Sequence, residues 1–297
     1  MKRQIKRRQF IHTISGAVGA SFMPNHWKSA LSFKIVTIQD LIDFLIDGSA
    51  VKNLAKTVDT LKSGDPRQKL TGVVTTFMAN SEVIKQAIQL GANLIITHEP
   101  TYYNHEDQTA WINNDAVFQA KKHLVEKQNL VIWRFHDYMH GYKPDPMSAA
   151  IIAKLGWTNY ADGQQERMFI LPQAMSLQTL AHQVKNRLGA STLRFVGPPD
   201  MPINKVAVLE GAWGGTMHIT KMGQTPAECI VVGEIHEWET SEYVRDANSA
   251  GIKKSLIIAG HAATEEPGME WLAKWLTPQL PDIKVFHVPG VSPFQYI

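Results

Sequence analysis

The chain has 297 residues, 44% of them hydrophobic, with a formal net charge of +3 and one cysteine; this is globular composition, with length enough for a large core or two lobes. Lys2, Arg3, Lys6, Arg7, Arg8 and Lys28 all lie before residue 30, a stretch without Asp or Glu, so the remainder carries −3 and nothing favours nucleic acid as a partner. Cys229 alone excludes an internal disulfide and any thiolate cluster.

The first element is a leader. Lys6-Arg7-Arg8-Gln9-Phe10-Ile11 places paired arginines ahead of a modestly apolar stretch that ends at Met23. The pattern resembles a twin-arginine export signal, so residues 1–30 read as an export signal or basic leader. The expected destination is periplasmic or extracytoplasmic rather than cytoplasmic. The stretch is too short and too polar to span a membrane, and no transmembrane span is expected after it.

Thr37-Ile-Gln-Asp-Leu-Ile-Asp-Phe-Leu-Ile has the apolar spacing of an amphipathic helix. Leu70-Thr-Gly-Val-Val-Thr-Thr-Phe is β-branched and predicts a strand. A helix capped by Ser81 follows, with Glu82 in its first turn. Then come a strand over 93–97, a loop over 98–109, a helix over 115–127 and a strand over 130–135 that runs into His136-Asp137-Tyr-Met-His140. This β-α-β-α-β alternation is that of a largely parallel sheet covered by helices.

A short helix over 147–155 leads to a connection near Gly163. Beyond it the pattern predicts strands over 167–171, 192–196 and 205–209, with a Ser176-capped helix over 176–188. Gly211-Ala-Trp-Gly-Gly215 lacks the Lys-Ser/Thr of a phosphate loop and the spacing of a dinucleotide fingerprint; it reads as a tight turn that lets backbone approach a site. A strand over 229–232 precedes Gly233-Glu234-Ile-His236-Glu237, then a helix from Ser241, a strand ending near His261, a helix over 268–276 and a last strand over 284–288.

One unit occurs twice. Ser81-Glu-Val-Ile-Lys-Gln-Ala leads through Gly91 to Leu94-Ile-Ile-Thr-His98-Glu99, and Ser241-Glu-Tyr-Val-Arg-Asp-Ala leads through Gly251 to Leu256-Ile-Ile-Ala-Gly-His261-Ala-Ala-Thr-Glu265. Each delivers His and Glu at the carboxyl end of a strand, where open α/β sheets hold their ligands. Imidazole and carboxylate together suit Zn, Fe, Mn, Ni or Co, which the sequence does not distinguish. The candidate ligands are His98, Glu99, His140, His261, Glu265, His136 and Asp137; of the adjacent His136 and Asp137, one can ligate while the other orients it. His261 and Glu265 share a face if a helix begins straight after the strand. His123, His182, His218 and His287 read as structural, and Glu237 or His236 is the candidate proton shuttle near the cleft mouth. No G-x-S-x-G context supports serine chemistry.

Gly91-Ala-Asn-Leu-Ile-Ile-Thr-His98-Glu99-Pro100 resembles the "GANLIISHHP" segment of the Nif-three-like dinuclear metal-centre proteins, and Gly260-His261-Ala-Ala-Thr-Glu265 resembles their "GHYATE" segment. Residues 285–294, with Pro293-Phe294, resemble their final strand and "NPF". The resemblance covers the chain after the leader, in order. It implies an α/β fold of two related lobes with helix-covered mixed sheets, here over 34–160 and 165–297, forming one compact unit. It also implies a homo-oligomer, commonly a hexamer, two divalent metal ions, and a GTP cyclohydrolase type 2-like label. Among the family's ligands, His98, His261 and Glu265 match in type, while Glu99 stands where the family has His and His140 where it has Asp; His136 matches the strand-end His before that position.

The expectation is a dinuclear-metal-dependent hydrolase acting through a metal-bound hydroxide on an unidentified small molecule. The competing expectation is a non-catalytic metal- or ligand-binding protein with the same ligands.

Overall fold

Runs such as Val-Val-Thr-Thr, Leu-Ile-Ile-Thr and Ser-Leu-Ile-Ile are buried at every position, as strands must be when helices cover both faces of a sheet. The computed structural model describes residues 35–295 and 297. The leader expected over residues 1–30 lies outside the described residues. Among the described residues no helix is long and apolar enough to cross a membrane.

The protein is α/β, with two mixed five-stranded sheets. The first contains β1 (Leu61–Ser63), β2 (Gly72–Thr76), β3 (Leu94–Thr97), β4 (Val131–Arg134) and β10 (Lys284–His287), in the order β1-β4-β3-β2-β10. Only β1 is antiparallel to its neighbour. The second contains β5 (Met168–Ser176), β6 (Arg194–Val196), β7 (Pro202–Leu209), β8 (Cys229–Val232) and β9 (Ser255–Ile258), in the order β5-β7-β8-β9-β6. Here both edge strands are antiparallel and the three central strands parallel.

Helices cover these sheets. On the first, α2 (Ser81–Gln89) and α3 (Ala116–Lys127) bury Val83, Ile84 and Val125 against Val74, Ile95 and Ile132. The alternate residues of β2 face α9 (His261–Leu276), where the Thr75 hydroxyl donates to the Met269 carbonyl at 2.7 Å. Outside α9 lies α1 (Ile38–Gly48), with Phe44 stacked on Trp275 at 5.7 Å. A capping box opens α1: the Thr37 hydroxyl accepts from the Asp40 amide, and Asp40 accepts from the Thr37 amide.

In the second sheet, α5 (Pro146–Leu155) and α6 (Leu177–Leu188) pack on the face of Val206, Val208, Val231 and Ile257. On the other face, α7 (Gly215–Gln224) and α8 (Glu242–Ser249) bury Met222 and Val244 against Leu209, Ile230 and Val232. The halves meet where α5 packs on α9. Gly268 allows that contact, because a Cβ there collides with the Met147 sulfur.

Several expectations change at this level. The strand expected over 284–288 pairs with β2 in the first sheet, so sheet membership does not follow the 160/165 division to the end. Ser81 is the first residue of α2 while Asn80 caps it, its side chain accepting from the Glu82 and Val83 amides. Ser241 is no cap either: a π-helical turn over Glu237–Ser241 runs straight into α8. The helix expected over 268–276 begins at His261, because Pro267 and Gly268 sit inside α9 rather than at its start.

Candidate metal centre

The parallel strands of both sheets send their carboxyl ends to one place. Backbone bonds continue past the strands and fix the first turns: the His98 amide donates to the Thr76 carbonyl, Phe135 to Thr97, Glu234 to Gly211 and Gly260 to Gly233. His98 and Glu99 follow β3, His136 follows β4, and His140 ends the one-turn α4 (Asp137–His140). His261 opens α9, and Glu265 is one turn further on.

Each of the four imidazoles is held from behind. His98 donates from Nδ1 to the Phe135 carbonyl at 3.1 Å, His136 to Asp137 at 2.9 Å, and His140 to Asp145 at 2.9 Å. His261 Nδ1 lies 3.3 Å from Glu234 Oε2. A carbonyl or carboxylate can only accept, so the shared proton sits on Nδ1 and Nε2 is left to face inward. Such outer partners fix tautomer and ring orientation in metal-binding histidines.

The inward atoms close a ring. Glu265 Oε2 lies 3.6 Å from His98 Nε2 and 2.9 Å from His261 Nε2. Glu99 Oε1 lies 3.6 Å from both His261 Nε2 and His136 Nε2. His98, His136 and His140 are within 4.8 Å of one another through one ring nitrogen each, and so are the donor atoms of His98, Glu99 and Glu265.

Burial and charge act together here. Burial, aided by the positive potential of His136 and His140, holds His98 well below the ordinary histidine range. Burial pushes the Glu99 carboxyl up despite the nearby Arg134. Burial alone would lower His261, but its bonds to Glu234 and Glu265 outweigh it and carry the imidazole to about 10. His140 is raised in the same way, burial opposing and Asp145 prevailing.

Residues 36–291 match the family model Duf34/NIF3 (NGG1p interacting factor 3). The chain belongs to the DUF34/NIF3 family. Among curated relatives it is similar to the "GTP cyclohydrolase 1 type 2 homolog" of Clostridium acetobutylicum, at 25% identity over 251 residues, 80% of this chain and 89% of the relative. The Escherichia coli protein of the same description is 24% identical over 246 residues, covering 82% and 93%. A solved Bacillus cereus protein related to NIF3 superposes with a TM-score of 0.72 at 18% identity, covering 89% of this chain and all of that one, and so shares the NIF3-like fold.

In this NIF3 member the expected residues separate into two groups. His98, Glu99, His136, His140, His261 and Glu265 converge, as the distances above state. Asp137 stands behind His136 instead, where its other oxygen accepts from the Thr57 hydroxyl and the Val58 amide. Glu237 and His236 are not brought to the centre. Glu237 pairs with Arg194 on the surface, and the His236 ring stacks on Trp238 at 5.1 Å, because the backbone turns outward after Gly233. From that segment only Glu234 reaches in.

The sequence did not single out the outer holders. Asp145 caps α5 with one oxygen and holds His140 with the other. Asp59 accepts three amides, from His136, Asp137 and Tyr138, and so pins α4. Fully buried Arg134 donates to the His98 and His105 carbonyls and to Glu99 Oε2. The Asp-Pro pair at 145–146, a common helix start, was the one available signal. Gly211 presses its backbone against Glu265 with φ at +75°, and a Cβ there collides with the Glu265 carboxylate.

The residues fit a metal ion by one direct criterion. His98 Nε2 is fully buried and has no hydrogen-bond partner. A desolvated lone pair without a partner is costly, and a cation bound among these His and Glu donors satisfies it.

Proposed function

We propose that this protein is a dinuclear-metal-dependent hydrolase of small molecules. The observation that carries the reading is the convergence of four inward imidazoles and two carboxylates, with the unpartnered His98 Nε2 among them. The description shared by the clostridial and Escherichia coli relatives supports a hydrolytic direction. His98, His136, His140, His261, Glu99 and Glu265 are the residues to hold the ions. Divalent ions at such a centre supply Lewis acidity, which polarises a substrate oxygen and acidifies water.

The chain's own residues do the rest. Arg134 fixes Glu99 so that one oxygen points at the centre and the other away from it. Asp137, Asp145 and Glu234 hold imidazole protons at Nδ1. Glu234 is more than half exposed, and its bond to His261 keeps its carboxyl below the ordinary range, so it is ionised at neutral pH. It therefore orients His261 from the solvent edge of the site, its ionised carboxylate accepting the Nδ1 proton's hydrogen bond, a holding role rather than the proton-passing one expected of Glu237 or His236. Export and a hexameric assembly belong to the same proposal, and are tested by cell fractionation and by sedimentation.

The deciding experiment combines elemental analysis of purified protein with a panel of phosphoester, amide and cyclic-nucleotide substrates. Two ions per chain, with turnover lost to a chelator and in His261→Ala, is the expected result. Protein that takes up no metal sinks the proposal; metal uptake without turnover across a broad panel favours the binding-protein reading.

A further inference from the structure

The six donors divide by chemistry. On one side the His98, His136 and His140 rings pack together, with centroids 4.6, 5.1 and 4.9 Å apart pairwise. All three offer nitrogen, and all three are held at Nδ1 before any ion arrives. On the other side stand Glu99, Glu265 and His261, two carboxylates and one imidazole, with His261 Nε2 3.6 Å from Glu99 and 2.9 Å from Glu265. The sides adjoin, since Glu265 is also 3.6 Å from His98 Nε2 and Glu99 3.6 Å from His136 Nε2. Arg134 occupies Glu99 Oε2 at 3.0 Å, so Glu99 offers Oε1 alone. Glu99 and His140 are the two positions where the sequence departs from the resemblance noted above, and their exchange is what sorts nitrogen to one side and oxygen to the other.

The two sides also differ in what an arriving ion must displace. His98 Nε2 has no partner, and the Nε2 of His136 has its nearest carboxylate oxygen at 3.6 Å, beyond a hydrogen bond. An ion entering among the histidines breaks no internal bond there. An ion entering on the other side must part His261 Nε2 from Glu265 Oε2, now at 2.9 Å.

We propose that the centre is asymmetric: His98, His136 and His140 form an all-nitrogen position that fills first and selects a zinc-type ion, while Glu99, Glu265 and His261 form an oxygen-rich position that fills second and accepts harder ions such as manganese. Imidazole suits zinc and its late neighbours, whereas carboxylate suits magnesium, calcium and manganese. This deepens the metal-centre reading and rests on it.

The test uses the full chain stripped of metal, titrated with zinc and then manganese, and read by calorimetry and by elemental analysis after gel filtration. One zinc per chain is expected to survive filtration, and the zinc-loaded chain should then take up one manganese. His140→Asp should weaken the first equivalent by ~10-fold or more, at the level of a substantially disturbed metal site. His261→Ala should remove the second equivalent and leave the first. If His140→Asp fails to fold by circular dichroism, Asp145→Asn, which reaches His140 at Nδ1 rather than at the ligating Nε2 and keeps an oxygen to cap α5, should still weaken the first equivalent selectively. Cobalt in the first position should give the intense visible bands of a nitrogen-rich, low-coordinate site. Two zinc ions of equal affinity, or variants that weaken both equivalents alike, overturn the asymmetry while leaving the metal centre standing. Binding of no ion at all overturns both.

Discussion

Arg134 grips one oxygen of Glu99 at 3.0 Å and leaves the other 3.6 Å from His261 and His136. The guanidinium is fully buried and spends its remaining donors on the carbonyls of His98 and His105, so one side chain ties β4, the turn after β3 and the loop beyond it. A buried carboxylate whose partner is removed cannot be left as it was.

Arg134→Met is therefore expected to lower stability by ~3–5 kcal/mol, the cost of an uncompensated buried charge. Arg134→Lys should recover part of that loss, since an ammonium presents its donors from one point and cannot span the three acceptors that the guanidinium fork reaches from Nε, Nη1 and Nη2. Denaturant melts of the three proteins measure it, and a wild-type midpoint in Arg134→Met would show that the pair does not hold the site.

Gly211 and Gly214 give a matched pair of probes. Both have positive φ, +75° and +80°, but a Cβ at Gly211 strikes Glu265 and one at Gly214 meets nothing. Gly214→Ala should cost ~1–3 kcal/mol, from backbone strain alone, because its ψ of 159° puts it in a region that essentially only glycine adopts. Gly211→Ala should cost more and displace Glu265, which shows as reduced metal retention. Equal retention in the two variants would mean that Gly211 is needed only for its φ.

His218 provides a pH signature away from the centre. It is fully buried on α7, with Nδ1 3.0 Å from the Thr240 hydroxyl. Burial lowers it from 6.5 to about 4. The unfolded chain thus binds the proton first, and the native state loses stability as pH falls from the ordinary histidine range toward about 4. At pH 5 the linkage amounts to ~2 kcal/mol relative to neutral pH. Unfolding free energies of the wild type and His218→Asn, compared at neutral and acid pH, should converge by that amount. Parallel pH curves would contradict the assignment.

At neutral pH the His261 imidazole carries a proton on each nitrogen, one toward Glu234 and one toward Glu265, in keeping with its rise to about 10. Loading a cation onto Nε2 must release the proton held there. Affinity at that position should rise with pH throughout the neutral range, and one proton should leave per ion bound there. Calorimetric titrations in buffers of different ionisation enthalpy count that proton, and a buffer-independent enthalpy would rule the release out.

Much of this centre could be read from the order of residues, for a physical reason. Leu94-Ile-Ile-Thr and Leu256-Ile-Ile are buried strands, so His98, directly after the first, and His261, three residues after the second, had to emerge near a strand end. What escaped notice depended on contacts distant in sequence. Asp59, Asp145 and Arg134 look like any other charged residues until α4, α5 and β3 are brought beside them. Glu234 and Glu237 are three residues apart, and only the outward turn after Gly233 decides between them. The first half of α9 was legible only as a condition, a helix beginning straight after the strand, because Pro267-Gly268 suggests a start rather than an interior. Helix α7 begins on Gly215 and carries Gly223, so propensity argued against it; burial of Met222 on the sheet overrides that preference.

The pairing of β10 with β2, Lys284 opposite Gly72, also bears on how the protein is made. During synthesis His98, His136 and His140 leave the ribosome well before α9 and the strand that follows it. An unfinished chain can thus present three histidines while the carboxylate and imidazole that face them have not yet been translated. Contacts this far apart in sequence also form slowly. An ion taken up at that stage would meet the three histidines alone, and protein made in cells with different metal supplies should then differ in the ion it carries, which elemental analysis of the purified chains would read.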